Sequence, residues 1–225
     1  MDWYRGTVRE VRPAATGCFH FALEVPPEVA RGFKVPGQFV RLRPPEIPDG
    51  FFAMAQAPDG DRFEFLVKRG TPLASVLEAL APGETLEVSA PEGKGFPLHL
   101  ARGRDLVLVA TGTGLAPMRS VMGAVAADRA AYGRVHLLFG AFTPSHFPWP
   151  DEHARWKAAG IEVRCITSDP SPGWTGELGF VQKLVATVPL ADSVAFLVGQ
   201  REMVAEVRGL LTSRGLAADH VHLNF

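Results

Sequence analysis

The residues best suited to ligand chemistry form the stretch ATGTGLAP, residues 110–117. Its glycines, Gly112 and Gly114, follow an apolar run and come directly before a helix-like pattern. At such a junction a pyrophosphate can accept hydrogen bonds from free backbone N–H groups and lie at the positive end of the helix dipole. The same spacing also fits a tight strand-to-helix turn that binds nothing. The stretch therefore raises a phosphate-binding hypothesis with one plain structural alternative.

Cysteine and histidine residues do not form a second reactive site. Cys18 and Cys165 are the only two cysteines, so the chain cannot supply a four-cysteine iron–sulfur or zinc site, and we expect both to be reduced thiols in the core. His220 and His222 would face the same way in a terminal strand, without a carboxylate or third histidine to complete a set of ligands. We therefore predict no metal site.

The overall charge excludes several classes of partner. The 225 residues include 23 Lys and Arg against 24 Asp and Glu, so composition gives no sign of a nucleic-acid or anionic-membrane partner. The N-terminus is charged from its second residue, and no apolar run is long enough to cross a bilayer. We expect no signal peptide and no membrane insertion, and a cytoplasmic location.

Short alternating runs fill the first half of the chain, up to about residue 100. RGTVREVRP, CFHFALEV, QFVRLRP, RFEFLVKRG and ETLEVSAP predict antiparallel strands of a small barrel or sandwich. In RFEFLVK, Phe63, Phe65 and Val67 share one face, and Arg62, Glu64, Leu66 and Lys68 share the other. One helix is predicted in TPLASVLEALAPG, with Thr71 as its N-cap, and it would close one end of the barrel.

The second half repeats apolar run, turn and helix. DLVLVATG, RVHLLFGA, IEVRCITS, SVAFLVG and VHLNF are strand-like, and helical patterns such as PMRSVMGAVAADRAA separate them. This alternation predicts a doubly wound parallel sheet with helices on both faces. We expect two domains, residues 1–99 and 105–225, with the boundary at residues 99–104.

Eight motifs in the same order give the chain a family resemblance. PGQFV, FFAMAQAP, GTPLAS, PEGKGF, ATGTGLAPMRS, GWTGELGFVQ, LVGQREMV and a terminal NF resemble the ferredoxin–NADP reductase superfamily over nearly the whole chain. The resemblance implies an FAD-binding Greek-key β-barrel followed by an α/β domain that binds a nicotinamide nucleotide. It also implies that the glycine stretch contacts that nucleotide.

The family's flavin motif, RxYS, is altered here. In the family its arginine holds the FAD pyrophosphate, its tyrosine stacks on the flavin ring and its serine reaches the flavin N5. Counting back from Pro58 places Gly50, Phe52 and Ala53 at these positions. Phe52 can still stack, because stacking needs a ring and not a hydroxyl, although it also fits a plain core aromatic. Arg41 and Arg43 are the nearest candidates to replace the arginine, and they equally fit a solvated strand face.

A second flavin signature is only approximated by GTPLAS. The family hydroxyl position falls on Ala74, but free N–H groups at residues 73–75 of the predicted helix could hold a phosphate, unless Thr71 serves only as a cap. The residues that the resemblance places at the flavin are Arg41, Gly50, Phe52, Ala53, Met54, Val67, Lys68, Gly70, Thr71, Leu73, Ala74 and Ser75.

On the nucleotide side, relatives selective for NADPH often place Ser-Arg after the third parallel strand, where this chain has Ser168 and Asp169. A carboxylate repels a 2′-phosphate but accepts hydrogen bonds from a ribose diol, so we favour NADH over NADPH. Asp169 equally fits the start of a turn. The residues that the resemblance places at the nucleotide are Thr111, Gly112, Thr113, Gly114, Pro117, Ser168, Asp169, Gly199 and Gln200.

The expected function is hydride transfer from NAD(P)H to FAD, followed by electron transfer to an unidentified acceptor, for which a separate redox protein is one candidate. Phe52, Ala53 and a terminal Phe225 that covers the flavin would be the residues nearest the reaction, although Phe225 also fits the end of an edge strand. One alternative is the reductase component of a multi-protein electron-transfer or oxygenase system. Another is a nucleotide-binding sensor or scaffold that has lost flavin.

Overall fold

A computed structural model of the chain describes residues 2–58, 60–169 and 171–224. Two six-stranded sheets follow each other along the chain, and they correspond to the two rhythms of the sequence. The predicted fold, an antiparallel barrel followed by a parallel α/β unit, is confirmed. Within the described residues, no helix is both long and apolar enough to cross a membrane.

The first sheet is antiparallel, with the strand order β4-β3-β6-β1-β2-β5. Its strands are β1 (Trp3–Ala15), β2 (Cys18–Glu24), β3 (Phe39–Arg43), β4 (Gly50–Ala53), β5 (Arg62–Lys68) and β6 (Thr85–Ser89). The predicted helix is α2 (Pro72–Ala79), with Thr71 as its N-cap, and a one-turn helix, α1 (Pro27–Ala30), precedes β3. Ala74 and Leu77 of α2 pack into the barrel core.

Strand β5 differs from the half-exposed strand that its alternation suggests. Phe63, Phe65 and Val67 enter the barrel core as predicted. Glu64 and Leu66, on the other face, are also buried, because that face packs against the α/β unit. The predicted alternation is right, but the second face is an interface and not a solvent surface.

The second sheet has the order β10-β9-β8-β7-β11-β12, with β12 at its edge. Its strands are β7 (Asp105–Thr111), β8 (Val135–Ala141), β9 (Ile161–Thr167), β10 (Glu177–Leu178), β11 (Ser193–Val198) and β12 (Val221–Leu223). The helices are α3 (Leu115–Ala127), α4 (Pro150–Ala158), α5 (Val181–Val185) and α6 (Arg201–Ser213). All described strand pairs are parallel.

Alternate residues of β7 pack against helices on opposite faces of this sheet. Leu106, Leu108 and Ala110 share a cluster with α3, whereas Val107 and Val109 share one with α5 and α6. In α3 the buried stripe is the one that the sequence predicts: Met118, Val121, Met122 and Val125. The sheet is therefore covered on both sides, as a doubly wound arrangement requires.

The barrel and the α/β unit share one apolar core. Ala14, Ala55 and Leu66 of the barrel belong to the same buried cluster as β7, β8 and α3. The ring of Phe96 stacks on Phe196 of β11, with centroids 4.6 Å apart. The segment between β8 and α4 also crosses to the β1–β2 hairpin, where the Thr16 N–H donates to Ser145 O at 2.8 Å and the Trp149 N–H to Ala14 O at 3.1 Å.

Candidate functional site

The glycine turn, residues 111–114, lies at the carboxyl end of the central strand β7. A single 3₁₀ turn, Gly112–Gly114, leads directly into α3. Gly112 has a φ of +56°, which favours glycine, and a Cβ added there would meet no atom within 4 Å. At Gly114, by contrast, a Cβ would lie 2.7 Å from Val198 O. One glycine thus leaves an open face above the helix start, and the other lets β11 approach.

Beside the turn lies a buried hydroxyl that lacks a partner. Val198 pairs with Ala110, so Gly199 and Gln200 follow β11 at the same sheet edge. A Cβ on Gly199 would lie 2.4 Å from Thr111 Oγ1 and 2.3 Å from Met203 Cε. Within the part of the chain that the structure describes, Thr111 Oγ1 is buried without a hydrogen-bond partner. A buried polar atom is rarely left unpaired, so this hydroxyl is suited to receive a polar group of a ligand.

Ser168 and Asp169 occupy the same sheet edge, two strands from β7. Their N–H groups donate to Ala141 O at 3.0 Å and to Phe142 O at 2.9 Å, which fixes the backbone after β9. Ser168 is exposed and Asp169 is half-exposed. Two aromatic side chains near these strand ends are largely exposed, Phe142 at 59% and Phe180 at 70%.

The structure thus brings the glycine turn and residues 199–200 together, and it places Ser168 and Asp169 farther along the edge. Thr113 is half-buried beside the exposed Gly112, and Pro117 is buried in the first turn of α3. Phe142 was missed by sequence reasoning. Its only signal is an aromatic residue directly after the buried run LLFGA.

On the barrel, the candidate flavin residues are divided between two faces of the β3–β4 pair. Phe52 lies opposite Val40, and Phe51 lies opposite Arg41. Because paired residues share a face and neighbours alternate, Phe52 and Arg41 point to opposite sides. The half-buried Phe52 packs edge-to-face on Phe65, with centroids 6.0 Å apart.

Gly50 lies on the Phe52 face, next to helix α2. A Cβ at residue 50 would be 2.5 Å from Leu73 Cδ2 and 3.3 Å from Phe52 Cε2. Leu73 therefore fills the space that the first atoms of a side chain at position 50 would occupy. An arginine at this position requires Leu73 to move.

Arg41 contacts Asp49 and Phe51. Its Nε lies 3.1 Å from Asp49 Oδ2, and its guanidinium is 4.5 Å from the centroid of the Phe51 ring. Phe51 is 63% exposed. The β3–β4 register places Arg41 and Gly50 on opposite faces, so it does not support the replacement of the missing arginine by Arg41, which stays a prediction.

The predicted free N–H groups at residues 73–75 are mostly engaged. Thr71 caps α2: its Oγ1 accepts from the Ala74 N–H at 3.1 Å, and its carbonyl accepts from the Ser75 N–H at 3.0 Å. Because Pro72 has no N–H, Leu73 is the residue of the first turn whose N–H lacks an intrahelical partner. Gly70, with φ +100° and open space above its Cα, precedes this helix start.

Of the other barrel candidates, three have small or buried side chains, so only their backbone groups could contact a flavin. Met54 is fully buried, and its N–H donates to Gln38 O at 3.2 Å. Ala53 is half-buried opposite Phe39, Val67 is buried, and Lys68 is exposed at the end of β5. Phe225 lies outside the described residues. This face therefore fits a flavin ring beside Phe52 and a phosphate beside the Leu73 N–H, without a cationic side chain at position 50.

A separate cleft of about 1040 Å³ lies between the barrel and the α/β unit. Its apolar lining includes Phe39, Phe96 and Tyr132. Lys34, Lys94, His99 and Arg102 also line it, together with Asp128, which pairs with Arg102 at 3.0 Å. Among the described residues that line this interface cleft, Lys and Arg side chains therefore outnumber carboxylates.

Comparison with known proteins agrees with this geometry. Residues 108–209 match the family model described as the oxidoreductase NAD-binding domain. The chain is 32% identical over 205 residues to ferredoxin–NADP reductase B of Sorangium cellulosum, covering 83% of each protein. It is 28% identical over 212 residues to sulfhydrogenase 1 subunit gamma of Pyrococcus furiosus, covering 90% of this chain and 72% of that one.

Solved structures show the same fold at lower identity. A ferredoxin NADP⁺ reductase from Neisseria gonorrhoeae with bound FAD and NADP superposes with a TM-score of 0.83 at 19% identity, over 99% of this chain and 98% of that chain. The flavohem-like FAD/NAD-binding domain of nitric oxide dioxygenase from Vibrio cholerae gives a TM-score of 0.84 at 20% identity, over 99% and 98%.

Proposed function

We propose, since the chain belongs to the ferredoxin–NADP reductase family of oxidoreductases, that it binds FAD and NADH and passes electrons from the nucleotide to a separate acceptor. FAD, when bound, supplies the chemistry of accepting a hydride and releasing its electrons singly or as a pair. The work of this chain's own residues is to bind and orient the two cofactors.

The glycine turn carries the nucleotide half of the proposal. It combines an open Gly112, the start of α3 and, at the end of the central strand, a Thr111 hydroxyl with no hydrogen-bond partner among the described residues. A pyrophosphate at Gly112 gains the N-terminal N–H groups and dipole of α3. A polar group of the nicotinamide half can pair with Thr111. Residues 199–200 form the adjacent wall.

Asp169 supports NADH over NADPH. Its half-exposed carboxylate stands at the sheet edge where a nucleotide extending from the glycine turn would place its ribose. A 2′-phosphate there would face a like charge, whereas a ribose diol would donate hydrogen bonds. The exposed rings of Phe142 and Phe180 are apolar surfaces on which an adenine can pack.

The barrel supports a flavin that is held by its ring more than by its phosphates. Phe52 offers the ring surface, and the Leu73 N–H and Gly70 offer backbone at the start of α2. A charged hydrogen bond contributes about 1.5–3 kcal/mol, so the loss of the arginine at position 50 weakens FAD binding by about tenfold or more. We therefore expect FAD to dissociate more readily than in relatives that keep the full motif.

The basic lining of the interface cleft supports an anionic acceptor. Lys34 and Lys94 attract negative charge at long range, whereas the charge of Arg102 is offset by Asp128, and this attraction weakens as salt is added. Among the relatives, one is named a reductase component of terephthalate 1,2-dioxygenase. A reductase component of a multi-protein system is accordingly the second candidate function, and turnover that falls steeply with ionic strength would favour it.

The deciding experiment is the visible spectrum of the purified protein, before and after addition of FAD and desalting. NADH and then NADPH are added under anaerobic conditions. We expect retained flavin bands that bleach faster with NADH. A protein that binds NADH but keeps no flavin at micromolar concentration would refute the reductase proposal and leave a nucleotide-binding module.

A further inference from the structure

A buried ionic cluster joins the nucleotide half of the molecule to the flavin half. Its centre is Arg119, the fifth residue of α3, whose side chain is only 17% exposed. It donates through Nε and Nη2 to both oxygens of Glu152, at 2.7 and 2.9 Å. Its Nη1 donates to Glu64 Oε2 at 2.7 Å and to Ala55 O at 3.2 Å.

These contacts connect the two elements that the proposed chemistry must align. Arg119 lies just over one turn into the helix that begins at the glycine turn. Ala55 lies two residues after Ala53, where β4 ends, and Glu64 belongs to β5. One guanidinium therefore ties the nucleotide-binding helix to the strand that carries Phe52.

The helix is held at this distance from the barrel by a second contact. Gly123, one turn after Arg119, faces the same barrel segment, and a Cβ there would lie 3.0 Å from the Cβ of Ala57. Arg119 thus anchors α3 to Ala55 while Gly123 lets the helix approach Ala57. The spacing between helix and strand is defined at two successive turns.

The ring of Trp149 packs against the Arg119 guanidinium and is the last member of the cluster. The guanidinium lies 4.9 Å from the centroid of the ring, and Trp149 is 2% exposed. Trp149 has a φ of +49°, a conformation that costs free energy in a bulky residue and persists where the surroundings impose it. Its N–H donates to Ala14 O of the barrel, so this residue also bridges the two halves.

We infer that Arg119 is a positioning residue for hydride transfer, which sets the distance between the nicotinamide and the flavin ring without touching either. The inference rests on the proposed function. Hydride transfer needs reacting atoms about 3–3.5 Å apart, and a misplacement of about 1 Å can cost about 100-fold in rate. The planar guanidinium donates to both oxygens of Glu152 and also to Glu64 and Ala55, four hydrogen bonds in a fixed fork that the three donors of an ammonium group cannot reproduce.

The test compares Arg119→Lys, Glu152→Gln and a control, Arg155→Lys, which changes an exposed arginine on the neighbouring helix. Stopped-flow bleaching of bound flavin at saturating NADH is measured together with the dissociation constants of FAD and NADH. We expect at least a tenfold slower bleaching in Arg119→Lys, affinities within threefold of wild type, a smaller loss in Glu152→Gln and no change in Arg155→Lys. A rate within twofold of wild type, or rate and affinities that fall in parallel, would overturn the inference.

Hydrogen–deuterium exchange of the FAD-free chain provides a readout that does not depend on turnover. In Arg119→Lys we expect faster exchange in residues 54–57 and 111–119 and unchanged exchange in the β1–β2 ladder. Unchanged exchange in the first two segments overturns the inference. If Arg119→Lys shows the expected exchange difference from wild type, but NADH does not bleach flavin in the wild-type protein, the proposed function is overturned and the role of Arg119 in joining the two halves stands.

Discussion

His20 gives the protein an acid sensitivity that can be worked out from the structure. The ring is 2% exposed, and its Nε2 lies 3.5 Å from Glu10 Oε2. Burial lowers the pKa of His20 from 6.5 to about 4, and the nearby Glu64 and Glu10 only partly oppose this effect. Arg12 and Arg119 act in the same direction as burial. The folded protein therefore holds this histidine neutral at pH values where the unfolded chain would protonate it.

The sign follows from proton linkage. As pH falls below 6.5, His20 binds a proton in the unfolded state but not in the folded state. The free energy of unfolding therefore declines until about pH 4, where the folded state also binds the proton. At about 1.4 kcal/mol per pH unit, the total loss is about 3 kcal/mol. Most of this loss of stability is complete by pH 4.5. Glu64 titrates at lower pH, because Arg119 lowers the pKa of Glu64 against the opposing effect of burial, so its protonation does not obscure the effect of His20.

The assay is urea denaturation followed by circular dichroism at pH 7.5, 6.5, 5.5 and 4.5 on wild type, His20→Gln and His99→Gln. His99 is exposed and serves as the matched control. We expect His20→Gln to remove about 3 kcal/mol of the pH-dependent decline, while His99→Gln follows wild type. Identical pH profiles for wild type and His20→Gln would refute the reasoning.

Three further predictions concern the nucleotide site. Gly112→Ala should lower the free energy of unfolding by about 1 kcal/mol, because of the positive φ, and should weaken NADH binding at least tenfold. Gly103 also has a positive φ and open space around its Cα, so Gly103→Ala should lose the same stability and bind NADH normally. Both are checked by thermal unfolding and NADH titration, and equal NADH affinities would contradict the prediction. Thr111→Val removes an unpaired buried hydroxyl, so unfolding free energy should rise by about 1 kcal/mol while NADH affinity falls; a loss of stability would count against it. Asp169→Arg should move the ratio of kcat/KM for NADPH over NADH at least tenfold toward NADPH in steady-state assays, and an unchanged ratio would exclude Asp169 from the ribose site.

Local periodicity predicts most of the fold, because each strand and helix carries its own pattern. The stripe of α3 and the two faces of β5 are read correctly from spacing alone. What covers the second face of β5 is not local information, since Glu64 and Leu66 are buried by a helix from the other half of the chain. The role of Arg119 is likewise not predictable from the sequence. Arg119 is a single charged residue within the buried pattern PMRSVM, and its partners belong to elements that are distant along the chain.

The candidate site likewise has a part that local sequence predicts and a part that depends on distant pairing. The glycine turn is predicted because its chemistry lies in consecutive residues. The role of Arg41 stays a prediction, because the face on which a strand residue lies depends on the β3–β4 register, which sequence distance does not reveal. The same register separates the exposed Phe51 from the half-buried Phe52, two neighbours that the sequence alone does not distinguish.

The bridging of Ala14 and Thr16 by Trp149 and Ser145 bears on how the chain folds during synthesis. The β1–β2 hairpin leaves the ribosome early, but the segment that covers its tip follows β8, more than halfway along the chain. Until that segment emerges, the apolar surface of Ala14 and Leu66 stays open to water. We expect a nascent barrel to be an aggregation-prone intermediate that becomes stable only when residues from the second half arrive, so the two halves should be produced together and not as separate fragments.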